Sequence, residues 1–216
     1  MTLHGKKQEY VVQTTKPLTV SIGAETIWNE IEVAVDPGEL VGLVGENGAG
    51  KSVLLSCLSG ANEPDTGAVS WSEPGAAYLP QKGLVPEGLT GSEAVSFLRQ
   101  IDPRITDRWR SLTTAFGIAD ALTSPVDSYS VGMRRKLELA CILATDAAVY
   151  ILDEPTAGID PNILPTVRDA IESRTADGAA VVFATHRDGD LKRCDRLLSL
   201  SGSSLTKTTQ GAWSER

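Results

Sequence analysis

No stretch of the sequence approaches the roughly 18 consecutive apolar residues that a membrane-spanning helix needs. The longest apolar runs are strand-sized, such as Val149–Leu152. The opening residues, MTLHGKKQEY, carry a basic pair but no apolar core, which predicts no secretory signal. Cysteine is scarce. Cys57, Cys141 and Cys194 are far apart, odd in number and without metal-site spacing. That excludes a disulfide framework and predicts reduced, buried thiols in a cytosolic protein. Basic charge is also short, with 20 Lys and Arg against 28 Asp and Glu and a net charge of −8. Binding a phosphate backbone needs clustered cations, so no nucleic-acid partner is expected. The densest basic group, Arg134-Arg135-Lys136, reads as a solvated helix face. Internal repeats and low-complexity stretches are absent. What remains is an ordinary globular composition, 41% hydrophobic and 22% charged. A length of 216 residues suits one domain, or one domain with a lobe.

Residues 1–16 are polar and read as an N-terminal extension, leaving 17–216 as the domain. β-like segments follow at Leu18–Ile22, Ile31–Val35 and Glu39–Val44, the last two separated by the Pro37-Gly38 turn. Leu40–Val44 is a short apolar run ended by glycine, as a buried parallel strand requires. Lys51–Leu58 reads as a helix stopped by Gly60. Val69–Trp71 and Ala76–Leu79 read as short strands. The middle of the chain turns helical, at Gly91–Gln100, Arg104–Phe116 and Val131–Ala144, which predicts a helical lobe over about residues 82–140. Strand and helix then alternate through Val149–Leu152, Ile163–Ser173 and Ala179–Ala184, with β-like ends at Arg196–Leu200 and Ser204–Lys207. Such alternation predicts an α/β fold with a mainly parallel sheet.

Gly45-Glu46-Asn47-Gly48-Ala49-Gly50-Lys51-Ser52 fits the full G-x-x-x-x-G-K-[ST] phosphate-loop pattern. It lies between a predicted strand and a predicted helix, the context that gives the pattern meaning. Its glycines let backbone N–H groups turn inward around phosphate oxygens, and the helix start adds its dipole. Lys51 is placed to reach the β- and γ-phosphates, and Ser52 to offer its hydroxyl to Mg²⁺. Val149–Leu152 runs into Asp153 and Glu154, and carboxylates at the end of an α/β strand face the ligand edge. Asp153 suits magnesium; Glu154 suits a general base for attacking water. His186 closes another apolar strand and would point at the same edge, to sense the γ-phosphate or orient water. Gln81 follows Ala77–Pro80 and is placed to touch magnesium or the attacking water.

These motifs, in this order, resemble the ATP-binding subunit of an ABC transporter. Leu79-Pro80-Gln81 looks like the Q-loop. Tyr129–Lys136 looks like the family signature, usually written LSGGQ. Leu152–Pro161 looks like the Walker B strand running into the D-loop, and Thr185-His186 looks like the H-loop. The resemblance covers about residues 18–200. It implies a P-loop NTPase with an antiparallel β subdomain and an inserted helical lobe, binding ATP and Mg²⁺ and hydrolysing ATP. It further implies a head-to-tail partnership with a second such domain, identical or paralogous, in which Ser130 and Gly132 cap the γ-phosphate held by the opposite Lys51. A transmembrane permease subunit would hold the protein at the cytoplasmic face of the membrane. The form Ser130-Val131-Gly132-Met133 is similar to a variant common among exporters. The alternative is a soluble ABC-type ATPase acting in protein or cofactor assembly. Val131 and Met133 in the signature replace the usual second glycine and the glutamine, and two further positions depart from the family pattern. Val53 replaces the usual threonine near the α-phosphate, and Ile22 stands where an aromatic usually stacks on adenine. Trp28, close by in sequence, is the other candidate for that contact.

Overall fold

The structure, a computed structural model, describes residues 10–23, 25–202 and 204–208, apart from the side chains of Ile22 and Glu25. The described chain builds two sheets. The larger holds β4 (Leu40–Gly45), β6 (Ala76–Leu79), β7 (Val149–Asp153), β8 (Ala180–Ala184), β9 (Arg196–Ser201) and β10 (Ser204–Thr208), in the order β10-β9-β4-β8-β7-β6. All neighbours run parallel except β10, which is antiparallel to β9. Every residue of β4, β7 and β8 is buried. A strand covered on both faces reads as an unbroken apolar run, which is why these three were visible in the sequence.

Alternation sorts the side chains of these strands into two cores. Tyr150 and Leu152 of β7, with Leu40 and Val44 of β4, face a core shared with α4 (Val131–Leu143) and α5 (Leu164–Ala176). Val149, Ile151, Val41 and Leu43 face the other core, under α1 (Lys51–Ser59). That second core is closed by the smaller, antiparallel sheet of β1 (Val12–Ile22), β2 (Glu25–Ile31), β3 (Ala34–Val35) and β5 (Thr66–Trp71). The helical lobe comprises α2 (Gly91–Ile101), α3 (Arg108–Ala115), two short 3-10 turns and the start of α4. Thr90 opens α2 with a reciprocal capping box to Glu93.

Several boundaries differ from the sequence reading. β1 begins at Val12, inside the expected extension, because it pairs with both β3 and β5. An antiparallel sheet tolerates a wet face, so Gln13, Thr14 and Lys16 conceal a strand. β2 was not foreseen as a strand; its acidic and amide residues mask it, while Trp28 and Ile31 are fully buried. The helix expected from Arg104 starts at Arg108. Arg104 instead ties the lobe to the sheet, donating to Asp102, the Pro74 carbonyl and the Ala76 carbonyl. A one-turn helix, α6 (Asp188–Leu191), follows β8. The three cysteines are free and buried, and burial pushes the Cys141 and Cys194 thiols up to about 12. His4 and Trp213 lie outside the described residues.

Candidate functional site

The carboxyl ends of β4, β6, β7 and β8 lie side by side, so four sequence-distant motifs meet at one edge. They form a cleft of about 290 Å³ lined by Asn47, Gly48, Gly50, Lys51, Ser52, Val53, Gln81, Asp153, Glu154, His186 and Ile27. A parallel sheet explains the convergence, since each strand delivers its next residue to the same side.

The phosphate loop passes from β4 into α1 with Gly50 at φ 91°. A Cβ there would sit 2.7 Å from Ile27 Cγ2 and 2.8 Å from Trp28 Nε1, so only glycine fits both the dihedral and the space. Trp28 is therefore the floor of the loop, fully buried. This corrects its candidacy for contact with the base: an indole sealed beneath Gly50 offers no face to a ligand. Ile27 packs against the same core as Trp28 and also lines the cleft. Both side chains reach Gly50, Trp28 from within the core and Ile27 from its edge. The Ile22 expectation concerns a side chain outside the described residues.

Lys51 Nζ donates to the carbonyls of Gly45 (2.8 Å) and Glu46 (3.0 Å). An ammonium has three donors, so one is left for a ligand. Burial draws its pKa below the ordinary lysine range, against the pull of Glu154 and Asp153. Asp153 is 2% exposed, and its Oδ2 is buried with no hydrogen-bond partner. A buried carboxylate oxygen is costly to leave unpaired. Beside the exposed Ser52 hydroxyl it makes a hard-oxygen donor set that fits Mg²⁺.

Glu154 has φ 50°, a left-handed conformation rare for a residue with a side chain. Its amide donates to the Ala184 carbonyl at 3.0 Å, one bond beyond the last pair of the β7–β8 ladder. Its Oε1 lies 3.4 Å from His186 Nε2. Desolvation raises the Glu154 pKa above the usual carboxylate value, opposed by His186 and Lys51.

His186 is steadied from behind. Asp190, buried at the end of α6, accepts from Thr156 Oγ1 (2.5 Å), Thr185 Oγ1 (3.1 Å) and Arg168 Nε (2.6 Å). One carboxylate thus joins the segment after Glu154, the residue before His186 and α5. No single motif in the sequence marked it. Asp190→Ala strands Arg168 and two hydroxyls and should cost about 3 kcal/mol, measured as a lower urea midpoint with unchanged m-value.

The signature segment borders an adjoining hollow of about 590 Å³, where Tyr129 and Val131 face Asn47, Gln81, Glu154 and His186. Ser130 caps α4, accepting from the Met133 amide at 3.2 Å. Gly132 packs directly on the Gly158 carbonyl, leaving no room for a Cβ. Neither lines the cleft that holds Lys51. The basic run does not form the solvated face expected of it: Arg135 and Lys136 are 6% and 9% exposed. Lys136 Nζ donates to the Phe116 carbonyl at 2.9 Å. Arg135 serves carbonyls described below.

A parallel sheet carrying a phosphate loop, an acidic strand end and an inserted helical lobe defines a P-loop ATPase. A family model described as "ABC transporter" matches residues 28–157, more than half the chain. The protein is 35% identical over 172 residues to the cytochrome c biogenesis ATP-binding export protein CcmA of Novosphingobium aromaticivorans, covering 79% of this chain and 86% of that one. It is 32% identical over 203 residues to the arabinose import ATP-binding protein AraG 2 of Burkholderia ambifaria, covering 83% of this chain and 39% of that protein. A solved structure of an ATP binding subunit of an ABC transporter superposes with a TM-score of 0.82 at 27% identity, covering 92% of this chain and 90% of that one. The chain belongs to the ABC transporter family, as an ATP-binding domain that hydrolyses ATP. Among the described residues, no helix is long and apolar enough to cross a membrane.

Proposed function

We propose that this chain is the motor of an exporter, acting in head-to-tail pairs at the cytoplasmic face of a membrane beside a permease subunit. The observation that carries the pairing is the division of the site. Lys51, Ser52, Gln81, Asp153, Glu154 and His186 share one cleft that Ser130 and Gly132 do not line, although Tyr129 and Val131 beside them face an adjoining hollow with Gln81, Glu154 and His186. A helix start offers unpaired N–H groups to an anion, so a second copy or a paralogue would bring that end to the γ-phosphate.

Within the cleft, the loop from Gly45 to Ser52 wraps the phosphates and Lys51 meets the β- and γ-oxygens. Val53 and Ile27 are placed to meet the nucleoside side. Ser52, Asp153 and Gln81 would hold Mg²⁺, which when bound offsets the charge of the phosphate oxygens. Glu154, ionised, takes a proton from water as the water oxygen bonds to the γ-phosphorus and the bond to ADP breaks. His186 holds the Glu154 carboxylate in place. The signature form Ser130-Val131-Gly132-Met133 and the likeness to an export protein favour export, and the likeness to an import protein makes direction a point for experiment.

Cysteines at Ser130 and Gly48 test the pairing, since the native cysteines are buried. An ATP-dependent cross-link between chains is the expected result. Cross-linking within one chain, or none, would rule out the head-to-tail arrangement. Affinity purification from membranes should recover a multi-span partner; recovery with soluble partners alone would favour an assembly ATPase.

A further inference from the structure

We propose that Arg135 and Glu138 form a clip on α4 that fixes the Gln81 loop and the Glu154 strand end in one relative position, making Arg135 a positioning residue for hydrolysis. This rests on the reading of Glu154 and Gln81 as the groups at the γ-phosphate.

The ladder between β6 and β7 ends at the Leu79–Leu152 pair. Pro80 comes next and has no N–H to continue it. There the Arg135 guanidinium takes over. Nη1 donates to the Pro80 carbonyl at 2.8 Å, and Nη2 donates to the carbonyls of Glu154 (3.1 Å) and Asp153. Nε donates to the Glu154 carbonyl at 3.3 Å. A planar fork with five N–H groups can span such carbonyls at once; an ammonium cannot.

Glu138, one turn along α4, completes the clip. Its Oε2 lies 3.5 Å from Arg135 Nη1, and its Oε1 accepts from the Leu84 amide at 2.8 Å. The backbone at Gly83 approaches so closely that a Cβ there would lie 2.9 Å from Oε1. One buried ion pair therefore grips the chain on both sides of the Gln81 loop and at the turn where Glu154 takes its left-handed conformation. Burying charge is costly, and apolar residues of the same volume would pack α4 as well. A role in packing alone does not explain why the donors fall on the carbonyls of Asp153 and Glu154.

The test uses the purified full-length chain, with kcat from phosphate release and the ATP Kd from equilibrium binding. Arg135→Ala should lose about a hundredfold in kcat, as a small misplacement of reacting groups does, with Kd within about twofold. Arg135→Lys should still lose about tenfold, because one point charge cannot bridge Pro80 and Glu154 together. Millimolar guanidinium should restore part of the Arg135→Ala turnover. Parental kcat in either variant, or a parallel loss of kcat and ATP binding in a variant that still melts cooperatively, would overturn the clip. Should Arg135→Ala fail to fold, Glu138→Gln decides: it keeps an acceptor for Leu84 and loses the charge, so lower kcat at unchanged Kd is expected and unchanged kcat overturns the proposal. Glu154→Gln runs in parallel. If it keeps parental turnover, the underlying reading fails; if it loses turnover while the Arg135 variants keep theirs, only the clip fails.

Discussion

Glu154→Gln should lower ATP turnover by about a thousandfold while leaving ATP affinity within about twofold, because general-base catalysis is worth roughly 10²–10⁴. The amide keeps the shape of the side chain and its left-handed backbone but cannot accept a proton from water. Phosphate release under single-turnover conditions measures the loss, and equilibrium binding measures the affinity. Turnover equal to the parent's would remove Glu154 from the chemistry. The parent's pH profile offers a second check. Desolvation raises the Glu154 pKa, so the acid limb of kcat should fall above the usual glutamate range. The sign for stability follows from the same shift. A folded-state pKa above the unfolded value means that the folded chain binds more protons, so Glu154 favours folding below the unfolded pKa and loses that contribution as pH rises through the folded one. At neutral pH a neutral glutamine should therefore raise Tm.

Lys51→Ala should act at an earlier stage, on binding. A charge-assisted hydrogen bond is worth about 1.5–3 kcal/mol, which predicts an ATP Kd weaker by roughly ten- to a hundredfold, with turnover falling at least as far. The carbonyls of Gly45 and Glu46 lose their donor as well, so the loop itself should loosen. Titration with ATP separates the two variants: the glutamine form saturates at parental concentrations and the alanine form does not. A Lys51→Ala protein with parental affinity would mean that the backbone amides alone hold the phosphates.

The two substitutions probe residues that were legible in the sequence, and the reason is physical. Gly45–Ser52 and Val149–Glu154 are local patterns in which loop chemistry and strand burial leave their mark on neighbouring positions. Asp190 and Arg135 were not legible in this way. Their partners lie far along the chain, on Thr156 and Pro80, and a carboxylate or guanidinium bound to distant backbone looks the same in sequence as a solvated one. Trp28 shows a third case. Its closeness in sequence to Ile22 suggested the nucleotide, but burial of its indole beneath Gly50 is a contact across the fold that no local pattern marks. β1 was read six residues short for a similar reason, since polar residues on an open antiparallel face carry no hydrophobic signal.

The contact of Gly132 with the Gly158 carbonyl has a mechanical meaning. The start of α4 rests on the D-loop backbone with no side chain between them, so there is nothing compliant to absorb a displacement. Arg135, three residues on, grips the strand end from which that same D-loop departs. In a head-to-tail pair the signature end of one chain would face the other chain's phosphates, while its own D-loop follows its own Glu154. A shift at one γ-phosphate would then arrive at the second site almost undiminished, as through a rigid lever. The two hydrolysis events would be timed by stiffness as much as by affinity.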